Sequence, residues 1–262
     1  MGALRLGLAQ FSRGEGVEGN VREMARLVSE ARADVKLLPE NWASARPLSQ
    51  VEHERVLERV AEGLREGEVL VAGAHYVERG GGVVSVATVV SAEGVVASFE
   101  KRHPSRAIGE DKWLRPGRGG SVFRAGGVLM GGLVCIDLMY PEEARALALE
   151  GALVILNPAS ISLDRVELWR CVGRCRAAEN TVFVASANNT LTTYPDGRPV
   201  MGGSFVASPE GSLVMSADLE PGLYLTSLDL SWVDRVRARW GFLEEARGGR
   251  QGGLSVSPPS NT

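Results

Sequence analysis

A chain of 262 residues, 44% hydrophobic and 23% charged, is long enough to bury a sizeable core and too apolar to stay disordered. Its formal net charge of −3 gives no electrostatic footprint for nucleic acid, so nucleic acid is not an expected partner. The opening MGALRLGLAQF lacks the basic region and long apolar core of a signal peptide, and no apolar run approaches a membrane span; the expectation is a cytoplasmic protein with no membrane partner.

LRLGLAQF (4–11) is a short apolar strand, and NVREMARLVSEARA (20–33) carries Val21, Met24, Ala25, Leu27 and Val28 at helical spacing. DVKLLPE (34–40) follows as a second strand, stopped by Pro39, and residues 51–66 form another amphipathic helix with Val56, Leu57, Val60 and Leu64 on one side. EVLVAGAHYV, VVSVATVV and VVASFEK are three β-rich runs separated by ERGGG and SAEG, both turn chemistry, and so form a meander. GSVFRAGGVLMGGLVC supplies two more strands around Ala125–Gly127. Helix 141–150, strand 152–157, helix 163–179 and strand 181–187 then alternate, before a hairpin about Pro209–Gly211 and a last strand, GLYLTSLDL. Meanders mixed with strand–helix alternation imply an α/β sandwich with helices covering one face of each sheet.

Nothing in the composition shifts midway and no internal repeat is visible, so residues 1–247 are expected to form one domain. The Gly/Ser/Pro-rich end, residues 248–262, is a tail either flexible or packed on a partner subunit. The three cysteines, Cys135, Cys171 and Cys175, are an odd number and are expected as free thiols. Cys171 and Cys175 share one helix face, but with only His53, His75 and His103 in the chain no metal cluster completes them, so no metal is expected.

Cys135 stands where the apolar run GVLMGGLV gives way to a helix opened by Pro141. A thiol at such a junction lies near oriented backbone N–H groups, which lower its pKa and can hold an oxyanion; the alternative is a small buried hydrophobe. A nucleophilic thiol needs a base, and no local signature ties His53, His75 or His103 to it. Glu40 ends the strand VKLLPE, where Pro39 sends the next side chain off the strand's end, and a partly buried glutamate there has a raised pKa. Lys101, one of only three lysines with Lys36 and Lys112, ends VVASFEK and offers fixed positive charge. Taken singly, Glu40 reads as a solvated loop acid and Lys101 as a surface lysine.

Together, LLPEN (37–41), FEKRHP (99–104) and LVCIDLMYPEE (133–143), in that order and spacing, resemble the nitrilase superfamily of carbon–nitrogen hydrolases. The resemblance extends through GEDKWLRPG (109–117), EGALVILNPA, RAAENTVFVASANN (176–189), GGSFVASPEG (202–211) and LDLSWVDRVR, which is nearly the whole chain. It implies a four-layer α-β-β-α sandwich that commonly dimerises, here through helices 141–150 and 163–179, and a homodimer or higher homo-oligomer is the expected assembly. It also implies Glu40 as general base, Lys101 as stabiliser of the tetrahedral intermediate and Cys135 as nucleophile. The family's further active-site glutamate matches Glu110, with Asp111 as the alternative, and the N–H of Ile136 completes the oxyanion hole with Lys101. The implied reaction is acyl transfer through a cysteine thioester to water, with no cofactor.

Asp137 and the pair Pro141–Glu142 match the pattern of amidase-like and carbamoylase-like members, so a small amide or carbamoyl compound is favoured over a nitrile. Asp137 is either a substrate contact or a helix-entry cap. Ile136 stands where an aromatic is common in the family, and Met139 where a basic residue often sits. Trp113, Tyr140 and Trp169 are given no role. Three other readings stay open: nitrile hydrolysis by the same triad, acyl transfer to an amine, and a catalytically silent relative serving as a binding or assembly protein.

Overall fold

Leu4, Leu6 and Leu8 alternate along strand β1 (Ala3–Gln10) and are buried on one face of it, as the pleat requires. The computed structural model, which describes residues 2–248, continues with helix α1 (Val17–Glu30), strand β2 (Val35–Leu37) and helix α2 (Gln50–Ala61). A capping box starts α2: Ser49 Oγ accepts from Glu52 N at 3.2 Å, and the Glu52 carboxylate accepts from Ser49 N at 2.8 Å. The meander follows as β3 (Val69–Arg79), β4 (Gly82–Ser91) and β5 (Gly94–Glu100), consecutive and antiparallel.

The second half holds β6 (Ser121–Ala125), β7 (Val128–Gly132), α3 (Pro141–Leu149), β8 (Val154–Pro158), α4 (Val166–Asn180) and β9 (Phe183–Ala187). Two short strands, β10 (Thr192–Thr193) and β11 (Pro199–Val200), form a separate hairpin. Then come β12 (Phe205–Ala207), β13 (Leu213–Ser216), β14 (Gly222–Asp229), α5 (Ser231–Arg239) and α6 (Phe242–Gly248).

The strands make two six-stranded sheets, in the orders β14-β1-β2-β3-β4-β5 and β13-β12-β9-β8-β7-β6. In each, three central strands are parallel and the flanking pairs antiparallel, so the connections at the sheet centres end at one rim. The faces that meet are apolar: Leu6, Leu8, Val35 and Phe99 of the first sheet share one core with Phe123, Met130, Ile155 and Phe183 of the second. Met24, Leu27, Val56 and Val60 cover the outer face of the first sheet, against Leu70, Ala72 and Val90. On the second, α3 and α4 pack with Ala144, Leu147 and Ala177 inward. The result is the four-layer α-β-β-α sandwich expected.

Several boundaries differ from the sequence reading. The strand expected over 34–40 is regular only over β2; beyond it Leu38 N still donates to Val71 O at 2.9 Å and Glu40 makes an isolated bridge to Ala74, with Pro39 interrupting the ladder between them. The helix expected over 163–179 begins as a short 3₁₀ turn, Leu163–Arg165, ahead of α4. Helices α5 and α6 and the β10–β11 hairpin were not anticipated. Lys36, on β2, is fully buried and pairs with Glu68 at 2.7 Å, so its charge is matched. Beyond Gly248, the expected tail lies outside the described residues.

Candidate active site

Three chain segments converge where the two sheets meet. Glu40 follows Pro39, and its backbone is stitched to the second sheet: its N–H donates to Ala159 O at 3.0 Å, just beyond β8, and its carbonyl accepts Asn189 Nδ2, just beyond β9, at 2.7 Å. The next residue, Asn41, has φ 53° and donates its N–H to Ala74 O of β3 at 2.6 Å. This crossing demands glycine at Gly73, which has φ 76° and where an added Cβ would lie 2.2 Å from Pro39 O.

Lys101 is the first residue past β5; its N–H donates to Ser85 O at 2.9 Å and its carbonyl accepts Gly117 N at 2.7 Å. Cys135 opens a 3₁₀ turn, Cys135–Met139, inserted between β7 and α3, with φ 45°. A left-handed conformation in a non-glycine residue costs about 1–3 kcal/mol and needs support. Asn157 Nδ2 supplies it, donating to Leu133 O at 2.8 Å and Cys135 O at 3.1 Å. The Asn157 Oδ1 accepts Ser186 Oγ at 2.9 Å and Trp169 Nε1 at 3.2 Å, so this buried amide has all its groups engaged.

Lys101 Nζ lies 2.9 Å from Glu40 Oε1 and 2.8 Å from Glu110 Oε1, and all three side chains are buried. Glu110 opens its own 3₁₀ turn and also accepts Tyr76 Oη at 2.5 Å on Oε1 and Ser105 N at 2.6 Å on Oε2. Asp111, the alternative to Glu110, is exposed. Cys135 Sγ stands 4.0 Å from Ser160 O, at the edge of a hydrogen bond to sulfur.

Two carboxylates beside one ammonium in a dry site leave an excess of negative charge. Burial raises the pKa of Glu40, and the Glu110 charge adds to the rise while Lys101 opposes it. Burial lowers the Lys101 ammonium, but Glu40, Cys135 and Glu110 outweigh it and hold the pKa well above the lysine range. Burial and the Glu40 charge push the Cys135 thiol well up, which reverses the lowering expected from backbone N–H groups. The physical reason is that the thiol is only 7% exposed and faces a carboxylate, which outweighs the dipoles of a single short turn.

Asp137, placed at the site by the sequence, is fully buried and does not line the cavity beside Cys135. It does not cap α3, whose N-cap is Tyr140. Its carboxylate accepts Arg102 N at 3.0 Å, His103 N at 3.0 Å and the His103 ring at 2.8 Å. That clamps the segment after Lys101 to the cysteine turn, and burial raises the Asp137 pKa against these bonds. Ile136 does line the cavity, as do Met139 and Trp169. Tyr140 stacks on His103 at 3.6 Å, and Trp113 packs edge-on against Tyr76 at 4.8 Å. His53 and His75 form a buried pair elsewhere in the first sheet's outer layer, and Cys171 and Cys175 are exposed on α4. Among the described residues, no group of three or more His, Cys, Asp or Glu side chains is arranged to hold a metal, and no helix is long and apolar enough to cross a membrane.

Sequence reasoning missed Tyr76, Ser105, Asn157 and Tyr194. Asn157 carried a signal, as an amide inside the apolar run ALVILNPA, where a buried polar group implies a dedicated set of partners. Tyr76 carried none, because a tyrosine in an apolar strand is ordinary.

A family model described as carbon-nitrogen hydrolase matches residues 5–238. Over 215 residues, the chain is 28% identical to a 2-oxoglutaramate amidase of Bacillus subtilis (strain 168), covering 78% of this chain and 82% of that one. A carbon-nitrogen hydrolase from Helicobacter pylori G27 superposes with a TM-score of 0.85 at 20% identity, covering 97% of this chain and 99% of that one. An amidase from Nesterenkonia sp. superposes with a TM-score of 0.77 at 25% identity, covering 94% and 95%. A mutant of that amidase, at 23% identity and a TM-score of 0.80, carries the acetamide moiety of fluoroacetamide covalently at its active-site cysteine. The match over nearly the whole length, on a sandwich of the same architecture, makes this chain a member of the carbon-nitrogen hydrolase family.

Proposed function

We propose that the protein is an amidase that hydrolyses a small amide or carbamoyl compound through a thioester on Cys135. The observation that carries this reading is the buried cluster itself: Glu40, Lys101 and Glu110 linked at 2.9 and 2.8 Å beside a thiol that opens onto a cavity. A structural ion pair has no need of a thiol in a left-handed turn, which weighs against a catalytically silent relative.

Glu40 accepts the thiol proton as Cys135 Sγ attacks the amide carbon, forming the C–S bond. Its raised proton affinity suits it to that transfer. Lys101 and the N–H of Ile136 stabilise the oxyanion. The C–N bond then breaks, and the amine leaves with the proton from Glu40. Water attacks the thioester, gives a proton to Glu40, and the C–S bond breaks as the thiol is restored. Glu110 accepts three donors, from Lys101, Tyr76 and Ser105, and so is fixed in place to position the lysine.

The active-site adduct of the Nesterenkonia amidase supports a covalent route on this fold, and Asp137 with Pro141–Glu142 favours amides over nitriles. Residues 1–247 are read as the catalytic domain, working as a cytoplasmic homodimer through the α3–α4 layer, where Leu163, Leu168 and Cys171 are exposed. The test is release of ammonia from a panel of small amides, carbamoyl compounds and nitriles. Turnover of amides that disappears in Cys135→Ala supports the reading; preference for nitriles, or full activity in Cys135→Ala, contradicts it.

A further inference from the structure

We propose that the acyl half of this site takes a short, uncharged, apolar acyl group, and that Met139 is a specificity-determining residue for it; the proposal rests on the amidase reading above. The cavity that opens over Cys135 and Lys101 has a volume of about 170 Å³. An apolar cavity of about 150 Å³ holds benzene, which sets the scale of the group this one accommodates. Its walls are Ile108, Ile136, Met139, Ile161, Leu168 and Trp169.

The polar groups in the wall are already committed. Trp169 Nε1 donates to Asn157 at 3.2 Å, Ser162 Oγ to Asp164 at 2.6 Å, and the Tyr194 hydroxyl to Ser160 O, so the two rings present apolar faces. Ser105 and Ser160 add only neutral hydroxyls. No aspartate or glutamate lines the cavity among the described residues, so an amine-ended acyl chain meets no countercharge.

Two cations stand at its edge, and neither is a buried anchor aimed at the cavity floor: the Arg198 side chain is 34% and the Arg165 side chain 57% exposed. Arg198 is bonded to Asp196 Oδ2 through Nε at 2.9 Å and Nη2 at 2.8 Å, and to Ala107 O at 3.1 Å. Arg165 has 57% of its side chain exposed, 3.9 Å from Asp164, where a charge pair is worth little. A carboxylate at the far end of the acyl chain would lose its hydration against Met139 and its apolar neighbours with no dedicated partner.

The test compares isocaproamide with succinamate, which has a similar shape but a carboxylate in place of the isopropyl group, and with γ-aminobutyramide. The expected kcat/KM ratio favours isocaproamide over each by on the order of a hundredfold. Met139→Arg places a cation in the wall and should reverse the preference toward succinamate, whereas Met139→Leu should keep the wild-type order. Calorimetry of the same ligands with the Cys135→Ala protein reads the pocket apart from turnover, and covers the case in which Met139→Arg does not fold. Binding of succinamate as tight as that of isocaproamide overturns the proposal even if the protein is an amidase. The expected binding order without any turnover by the wild-type protein upholds the pocket and overturns the amidase reading instead.

Discussion

The phenol of Tyr76 donates to Glu110 Oε1 across 2.5 Å, and the same oxygen accepts Lys101 Nζ at 2.8 Å. With Ser105 N on the other oxygen, the Glu110 carboxyl is fixed in place, while Glu40 receives Lys101 and faces the thiol. In the proposed reaction the two glutamates on one lysine therefore have different work: Glu110 fixes the ammonium and Glu40 moves the proton. Tyr76→Phe removes one of the three donors that hold Glu110, and with it part of what fixes the lysine. The expected outcome is a kcat about tenfold lower with KM little changed, the scale of one hydrogen bond to a charged group. The acid limb of the wild-type pH–rate profile should lie above the ordinary glutamate value of about 4.3, because burial raises Glu40. An unchanged kcat would show that Tyr76 only packs against Trp113.

Lys101→Arg keeps the charge but replaces a compact ammonium with a planar fork, in a fully buried space bounded by Glu40 and Glu110. The rate should fall by at least about a hundredfold, as for loss of one oxyanion-hole donor. Steady-state kinetics on a folded Lys101→Arg protein checks this, and a near-normal rate would remove Lys101 from the reaction.

Stability should fall with acid because of the histidine pair behind the first sheet. His53 and His75 are 4% and 1% exposed with rings 5.6 Å apart, and His53 Nε2 and both His75 nitrogens lack partners among the described residues. Burial depresses both pKa values, His53 to about 4, with Arg79 lowering and Glu54 raising it; His53 adds to the depression of His75. Below the unfolded value of about 6.5 the unfolded chain binds the proton first, so each histidine removes up to about 1.4 kcal/mol per pH unit until its folded pKa is reached. Urea unfolding measured from pH 7 to pH 4 should show this slope, reduced in His53→Gln. A flat profile would mean that these rings find proton-accepting partners.

The assembly proposal predicts a dimer, or a multiple of one, by light scattering at micromolar concentration. Deleting residues 248–262 should weaken association more than it weakens the protomer's thermal stability. A full-length monomer would contradict the first statement, and an unchanged oligomer after deletion the second.

The parts legible in the sequence were those written in local patterns. Alternation in LRLGLAQF, helical spacing around Met24 and Leu27, and the Gly-rich turns of the meander gave the strands and helices in order, because each is set by which side faces the core. The gathering of Glu40, Lys101 and Cys135 came from resemblance, since 61 residues separate Glu40 from Lys101 and no local pattern joins them. Tyr76 and Asp137 were opaque for a related reason. Their partners lie 34 or 35 residues away and are chosen by strand register and turn geometry. The pKa of Cys135 was misjudged because backbone dipoles can be anticipated from a strand–helix junction, whereas burial against a carboxylate requires the fold.

The most direct measurement is the mass of the protein quenched in acid during turnover of a small amide, followed by mapping of its peptides. The account predicts an acyl group added as a thioester on the peptide containing Cys135, absent from Cys135→Ala and from peptides carrying only Cys171 and Cys175. Turnover by Cys135→Ala, or an acyl group found on either of the other cysteines and not on Cys135, would contradict it.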